Sequence, residues 1–518
     1  MREEIEKLTE KAVKNLCKKE VKVNIERPQD SNFGDYATNV AMIVKKNPQE
    51  IVNLIKSDIL ERVEVKNGFI NFFISKEYLQ KQVGEILKEK DKFGNLKIGK
   101  GEKVNVEFIS ANPTGPLHLG HGRGAFFGDT LANILGKSGF KVIREYYLND
   151  AAGSLQIRNI RTTVETVSKL PPVIQAALSP GSHPYYNEYL NKKISIFKSW
   201  DKVLSAIQEE NKNFIENKLK IKFDNWFSEE KDLYKKDKVK KIYKWLNKKN
   251  LVYEKEGANW LKSSEYGDTK DWVVERSENQ GGEYTYLLSD IAYHKDKFDR
   301  GFDKLIDIWG ADHQGHVGKI KAAIKMLGYN TDDLDILICQ VVRLKGGKIS
   351  KREGNIVTLE WLIDEVGLDA TRFFYLMKSL DTQMEFDVEL AKNRSAKSPV
   401  YYIQYANARI CSILRKASGF KPQTLSLNLL THPSELKLIK ELIRLPEIIE
   451  DTSKDYQVQR LPQYAMNLAT VFHQFYRDCR VISEDKKLTQ ARLTLVLAVK
   501  IVLKNTLDLM GISAPEKM

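Results

Sequence analysis

Apolar residues in the opening MREEIEKLTEKAVKNL recur three and four apart between charged ones, the spacing of an amphipathic helix. In VEVKNGFINFFI the period drops to two on either side of Asn67-Gly68, a pair that readily adopts the positive φ angles of a tight turn, so a β-hairpin is predicted there. VNVEFI at 104–109 alternates as a strand. The turn SANPTGP follows it, then a helix-like run from Gly120 to Leu135, and then a second strand, KVIREYYL, from Lys141. Strand, helix and strand within about 45 residues form a βαβ unit and imply a parallel sheet of Rossmann type. In the lysine-rich run at 229–250, Val239, Ile242, Tyr243 and Leu246 keep helical spacing. A solvated helix face is the bland reading of that run and RNA contact the sharper one. Beyond Ser398-Pro399 the pattern is helical to the end, with little strand signal.

These changes of pattern divide the chain. The glycine- and lysine-rich FGNLKIGKGEK separates a small α+β domain, residues 1–98, from an α/β Rossmann-type domain with insertions, residues 99–398, and an all-α domain occupies 399–518. A length of 518 residues agrees with about three domains of ordinary size. Hydrophobic residues at 42% and charged residues at 29% exclude a disordered or collagen-like chain. No apolar run reaches the ~18 residues of a membrane helix, and the charged start lacks a signal-peptide core, so the expected location is the cytoplasm. Lysine and arginine number 83 against 69 acids, a net charge of +14 that suits a polyanion, nucleic acid before membrane. Cys17, Cys339, Cys411 and Cys479 form no CxxC pair and suggest neither disulfides nor a cysteine zinc site.

Four of the eight histidines fall in two short clusters, His118 with His121 in HLGH and His313 with His316 in GADHQGH. The first cluster sits where a strand hands over to a helix, and free backbone N–H groups at a helix N-terminus attract phosphate. Two imidazoles there can donate to a triphosphate under attack at its α-phosphorus, while Gly120 lets an adenine approach the backbone. Competing readings are an HxxH metal pair, a GxGxxA dinucleotide fingerprint in Gly120, Gly122 and Ala125 with Glu145 downstream, and histidines that are merely structural. A second segment, LKGGKISKREGN, puts Lys348, Lys351 and Arg352 beside Gly346 and Gly347. Such a loop can close over a triphosphate and neutralise the pyrophosphate leaving group; a plain surface lysine loop is the alternative.

HLGH and KISKR resemble the two signatures of class I aminoacyl-tRNA synthetases, usually HIGH and KMSKS. The context resembles the arginyl-tRNA synthetase family in particular: VEFISANPTGPLHLGHGRGAFFGDTLANIL, YLND, WFSEE, YTYLLSDIAYH, IDIWGADHQGH, KISKREGN, DATRFF, YIQYANARICSIL and GISAPEKM stand in family order across nearly the whole chain. NDAA at 149–152 departs from the usual NDAG. The resemblance implies activation of L-arginine with ATP to arginyl-adenylate, then transfer to the 3′-terminal ribose of the cognate tRNA. It implies His118, His121, Lys348 and Lys351 as catalytic residues, with Gly120, His316 and Ser350 completing the ATP site. Glu107, Ser110 and Asn112 match positions that hold the amino acid's ammonium and carboxylate ends, and Glu229, Tyr286 and Asp290 match the guanidinium site. Carboxylates suit a planar cation with five donors. His313 and Gln314 lie in the pocket segment beside Asp312, any of the three being a candidate arginine contact. The N-terminal domain is matched to the outer corner of the tRNA through Phe69 and Asn71, and the helical domain to the anticodon through Tyr405, Tyr476 and Met518. Mg2+ is expected with ATP and no metal of the protein's own; the expected partners are tRNA, arginine and ATP, and the expected state is a monomer. The family generally activates its amino acid only once tRNA is bound. A catalytically dead RNA-binding relative and a shorter nucleotidylyltransferase with HxGH are the other classes to separate.

Overall fold

The computed structural model describes all residues except 278, 280, 281, 347–356, 396, 418, 420 and 422. Five strands, β1 (Lys103–Glu107), β2 (Lys141–Leu148), β3 (Asn225–Ser228), β4 (Lys304–Gly310) and β5 (Leu334–Cys339), form one sheet in the order β5-β4-β1-β2-β3. Every neighbouring pair in it is parallel. Helix α1 (Leu119–Lys137) makes the crossover from β1 to β2. It is buried on nearly all sides, and a side chain at Gly128 would collide with the Phe108 ring, so helix and strand meet closely only because that residue is glycine. The chain runs outward from β1 to β2 and β3 and then returns to place β4 on the other side of β1. That reversal opens a crevice at the carboxyl ends of β1 and β4, where doubly wound sheets bind ligands.

One prediction about the first strand needs amending. VNVEFI does not stay extended to its end: β1 stops at Glu107, and Ile109 and Ser110 take φ values of 69° and 38°. A β-branched residue in the left-handed region is strained, and this strain sits at the mouth of the crevice.

Between β2 and β3 a helical insertion closes its own small core with Ile157, Val164, Leu190, Ile194 and Val203. Between β3 and β4 lie helix Lys238–Lys248, a three-stranded antiparallel sheet and helix α2 (Tyr286–Asp299). Val239, Ile242 and Leu246 are buried, so the lysine-rich run packs as an amphipathic helix. Helix α3 (Val317–Met326) joins β4 to β5.

The N-terminal region carries helix Arg2–Cys17 and a three-stranded antiparallel sheet whose hairpin turns at Asn67 (φ 52°) and Gly68 (φ 78°), as the alternation predicted. It rests on the C-terminal helices: Arg27 Nε and the Tyr36 hydroxyl donate to Glu447 at 3.0 and 2.6 Å. Arg372, fully buried, ties the sheet domain to the chain's end, donating to Asp129 at 2.7 Å, to the Leu219 carbonyl at 2.7 Å and to the Met510 carbonyl at 3.2 Å. Among the described residues no helix is long and apolar enough to cross a membrane.

Candidate active site

HLGH opens α1 in an unusual way. His118 is the N-cap: its Nδ1 accepts from the Gly120 N–H at 3.0 Å, while Nδ1 of His121 accepts from the His118 N–H at 3.0 Å. The two rings stack with centroids 3.8 Å apart. Because both Nδ1 atoms accept, the neutral rings carry their proton on Nε2, and among the described residues neither Nε2 has a hydrogen-bond partner. Burial holds His118 below its usual range, and burial together with the His118 ring pushes His121 down to about 3. The rings are therefore neutral at pH 7. Helix capping uses Nδ1 of both side chains and leaves Nε2 able to donate.

Two backbone hydrogen bonds bring the end of the second signature back to the first. The Leu119 N–H donates to the Val357 carbonyl at 3.3 Å and the Leu359 N–H to the Leu117 carbonyl at 2.8 Å. Lys348, Ser350 and Lys351 lie outside the described residues.

Glu229, in the turn after β3, and Asp290, one turn into α2, face one another's charge. Burial, then Asp290, pushes Glu229 up to about 7, the Ser289 and Tyr147 hydroxyls offsetting only part of the rise. Burial likewise pushes Asp290 up to about 7, against a lowering by His294. Among the described residues neither carboxylate has a lysine, arginine or histidine nitrogen in salt-bridge contact. Two buried carboxyls with no direct cation partner among the described residues have the capacity to accept one.

Tyr286, four residues before Asp290, is 58% exposed, and its hydroxyl lies 3.4 Å from Nε2 of His316. His313 Nε2 lies 3.4 Å from an Asp312 carboxylate oxygen, and Asp312 is near enough to raise His118. Asp312, His313 and Gln314 are all exposed at the end of β4. Charge and contact thus link Glu229 to Asp290, Asp290 to Tyr286, Tyr286 to His316, His316 to Asp312 and Asp312 to His118. Asn112 accepts from the Asn149 amide at 2.7 Å.

Glu107 occupies another place than the resemblance implied. Its carboxylate accepts from the wholly buried Lys297 ammonium at 2.6 Å and from the Ser110 hydroxyl at 2.9 Å. It is already neutralised and lies beneath the pocket, so it is not free to take a substrate ammonium. Ser110 remains on the strained turn, its oxygen also accepting from the Tyr147 N–H at 3.1 Å. Glu145, the acid of the dinucleotide reading, is committed as well, to a bidentate pair with Arg300 at 2.5 and 2.8 Å and to the Tyr293 hydroxyl at 2.8 Å. Sequence reasoning missed Lys297, Asp307 and His294. An acid between isoleucines in IDIW was the available signal, since a charge in a buried strand implies a partner.

Far from the crevice, Tyr405 and Tyr476 bracket Arg409, whose guanidinium carbon lies 4.7 and 5.1 Å from the two ring centres. Both rings are exposed, as are Met518 and Phe69. Asn71 differs: it is 2% exposed, its amide turned to the Glu64 and Phe69 carbonyls, so it is not offered to a partner as Phe69 is.

Comparison with known proteins covers the same ground in three pieces. The chain matches an arginyl tRNA synthetase N-terminal domain over residues 2–74, a class I tRNA synthetase (R) catalytic domain over 82–157 and 179–410, and a DALR anticodon binding domain over 403–518. It is 43% identical over 534 aligned positions to an arginine--tRNA ligase of Dehalococcoides mccartyi, covering 96% of this chain and 94% of that one. To the arginine--tRNA ligase of Bacillus subtilis it is 41% identical over 533 positions, with the same coverage. The fold is shared with Thermus thermophilus arginyl-tRNA synthetase at a TM-score of 0.79 and 22% identity, with both chains covered in full. Catalytic-domain matches to 410, a closely similar relative along almost the whole chain and a crevice built on HLGH agree: this chain belongs to the arginyl-tRNA synthetase family.

Proposed function

We propose that the chain joins L-arginine to its tRNA in two steps within this crevice. The arginine carboxylate attacks the α-phosphorus of ATP in line and pyrophosphate leaves; the 3′-terminal ribose hydroxyl of the tRNA then attacks the arginyl carbonyl and AMP leaves. The observation that carries the reading is the pair Glu229 and Asp290, two carboxylates without a direct cation partner among the described residues, on the same domain as neutral, donor-ready HLGH. A guanidinium between them would restore both to full ionisation, and its planar fork suits two acceptors. Tyr286 is assigned to the guanidinium with His313 or Gln314 as further contacts, His316 to the nucleotide side, and Ser110 and Asn112 to the amino and carboxylate ends.

Nε2–H of His118 and of His121 would donate to the phosphate oxygens as charge gathers there, with Gly120 passing beneath the adenine. Lys348, Ser350 and Lys351 are assigned to the pyrophosphate, with Mg2+ entering as part of the ATP substrate. Residues 1–98 and 399–518 are read as tRNA-binding domains flanking a catalytic domain of 99–398, with Phe69 at the outer corner and Tyr405, Tyr476 and Met518 at the anticodon. One chain carries every part, so a monomer suffices. The test is arginine-dependent pyrophosphate exchange, with and without tRNA whose 3′ ribose is blocked. Exchange that appears with arginine and tRNA supports the reading. Exchange with another amino acid, or none under any condition, overturns it.

A further inference from the structure

Behind Asp290 stands a buried polar cluster that no step of the reaction uses. His294, one turn further along α2, has Nδ1 2.7 Å from the Asp290 carbonyl oxygen and Nε2 2.8 Å from an Asp307 carboxylate oxygen. The other Asp307 oxygen accepts from Lys297 at 2.6 Å. His294, Lys297 and Asp307 are all buried. A carbonyl oxygen can only accept. Asp307, although burial pushes it up, is held well below the ordinary carboxylate range by Lys297 and His294, so it too only accepts. With an acceptor at each ring nitrogen, the imidazole must donate from both, and only the imidazolium can do so.

We infer that His294 is a positioning residue for the guanidinium site: a buried imidazolium, donating from both ring nitrogens, that fixes the backbone at Asp290 and sets a positive charge one helix turn from its carboxylate. Asp290 faces charge from several sides. Glu229, Glu107 and Asp307 oppose its ionisation. Lys297 favours it from beneath, Lys319 faces it from α3, and the hydroxyls of Tyr286, Tyr147 and Tyr234 sense it from the surrounding elements. Of the cations, Lys297 is bonded to both Glu107 and Asp307, whereas His294 shares a helix turn with Asp290 and stands first among the groups favouring its charge. A like-charged pair given one near cation can stay half ionised, ready for the second cation that the substrate brings.

The inference rests on the arginine-binding reading, and the test separates the two. Two neutral variants of the full chain each keep one bond: His294→Asn retains a donor toward the Asp290 carbonyl and His294→Gln a donor toward Asp307. L-arginine affinity is measured by calorimetry from pH 6 to 9, with ATP affinity in parallel. Both variants should bind arginine about tenfold more weakly at pH 7, recover toward wild type at pH 9 as Asp290 ionises without help, and bind ATP normally. Wild-type affinity at pH 7 in either folded variant overturns the inference, as does equal loss for ATP. Should neither variant fold, 15N-histidine spectra of the wild-type protein at pH 7 decide: one ring with both nitrogens bearing a proton and unchanged by arginine is expected, and eight rings that each carry a single proton overturn it. Wild-type protein that binds no arginine would instead remove the function reading itself.

Discussion

The crevice and its floor hold two sets of buried carboxylates that differ in the nearness of a cation. On the floor, Glu107 and Asp307 share Lys297 at 2.6 Å each. In the crevice, Glu229 and Asp290 have no cation in direct contact among the described residues, and both are pushed up to about 7, by burial first. Sequence alone offers little to tell these acids apart. The difference is that the floor's acids have a bonded counter-charge and the crevice's have none in direct contact among the described residues. On the proposed reading the first set serves the fold and the second serves binding, so one kind of substitution should act in opposite directions on the two.

The largest effect is expected on the floor. Lys297→Met strands the buried Glu107 carboxylate and leaves Asp307 with His294 alone, and should lower unfolding free energy by about 3–5 kcal/mol, read by denaturant titration; a loss below about 1 kcal/mol would erase the contrast. In the crevice, Asp290→Asn removes a charge that has no direct partner. Arginine binding should weaken by about 2–4 kcal/mol with ATP affinity unmoved, while stability without ligand holds or rises. Calorimetry and thermal unfolding on the same sample check both halves, and normal arginine binding would sink the pocket assignment.

Proton uptake gives a smaller and sharper test. Both crevice carboxyls have folded values near 7, above their unfolded range near 4, so they cost stability progressively as pH rises from about 4 to about 7. Bound guanidinium lowers them again. Arginine affinity should therefore fall as pH drops below about 7, by up to ~10-fold per unit for each group, and binding at pH 6.5 should release protons. Calorimetry in two buffers of different ionisation enthalpy counts them; zero release contradicts the unpaired state. The smallest effect belongs to the outer domain, where Phe69→Ala should raise the tRNA concentration needed by about fivefold, near 1 kcal/mol, and leave arginine affinity alone.

Much of the frame was legible because its causes are local. Asn67-Gly68 fixed the hairpin, the alternation of VNVEFI gave β1, KVIREYYL gave β2, and HLGH announced the start of a helix. The floor was not legible, because Lys297 meets Glu107 only once the return of β4 beside β1 is known, and no local pattern encodes that order. The same long-range order turns Glu107 downward and commits Glu145 to Arg300. The strain at Ile109 and Ser110 was hidden too: Ile109 reads as the end of the strand VNVEFI and Ser110 as the start of an ordinary turn, and neither pattern announces a left-handed backbone.

The bond between Tyr36 and Glu447 spans 411 residues. A ribosome adding ~5–20 residues per second would need roughly 20–80 s between these two residues. During that interval the N-terminal domain is complete but its docking face, with Arg27 and Tyr36, has no Glu447 to meet. Its own core of strands and helix must hold it folded, and the surface that later becomes an internal joint is open to other chains. Slow synthesis and crowding therefore bear most heavily on this first domain, and a nascent chain stalled before residue 447 presents a face that the finished protein conceals.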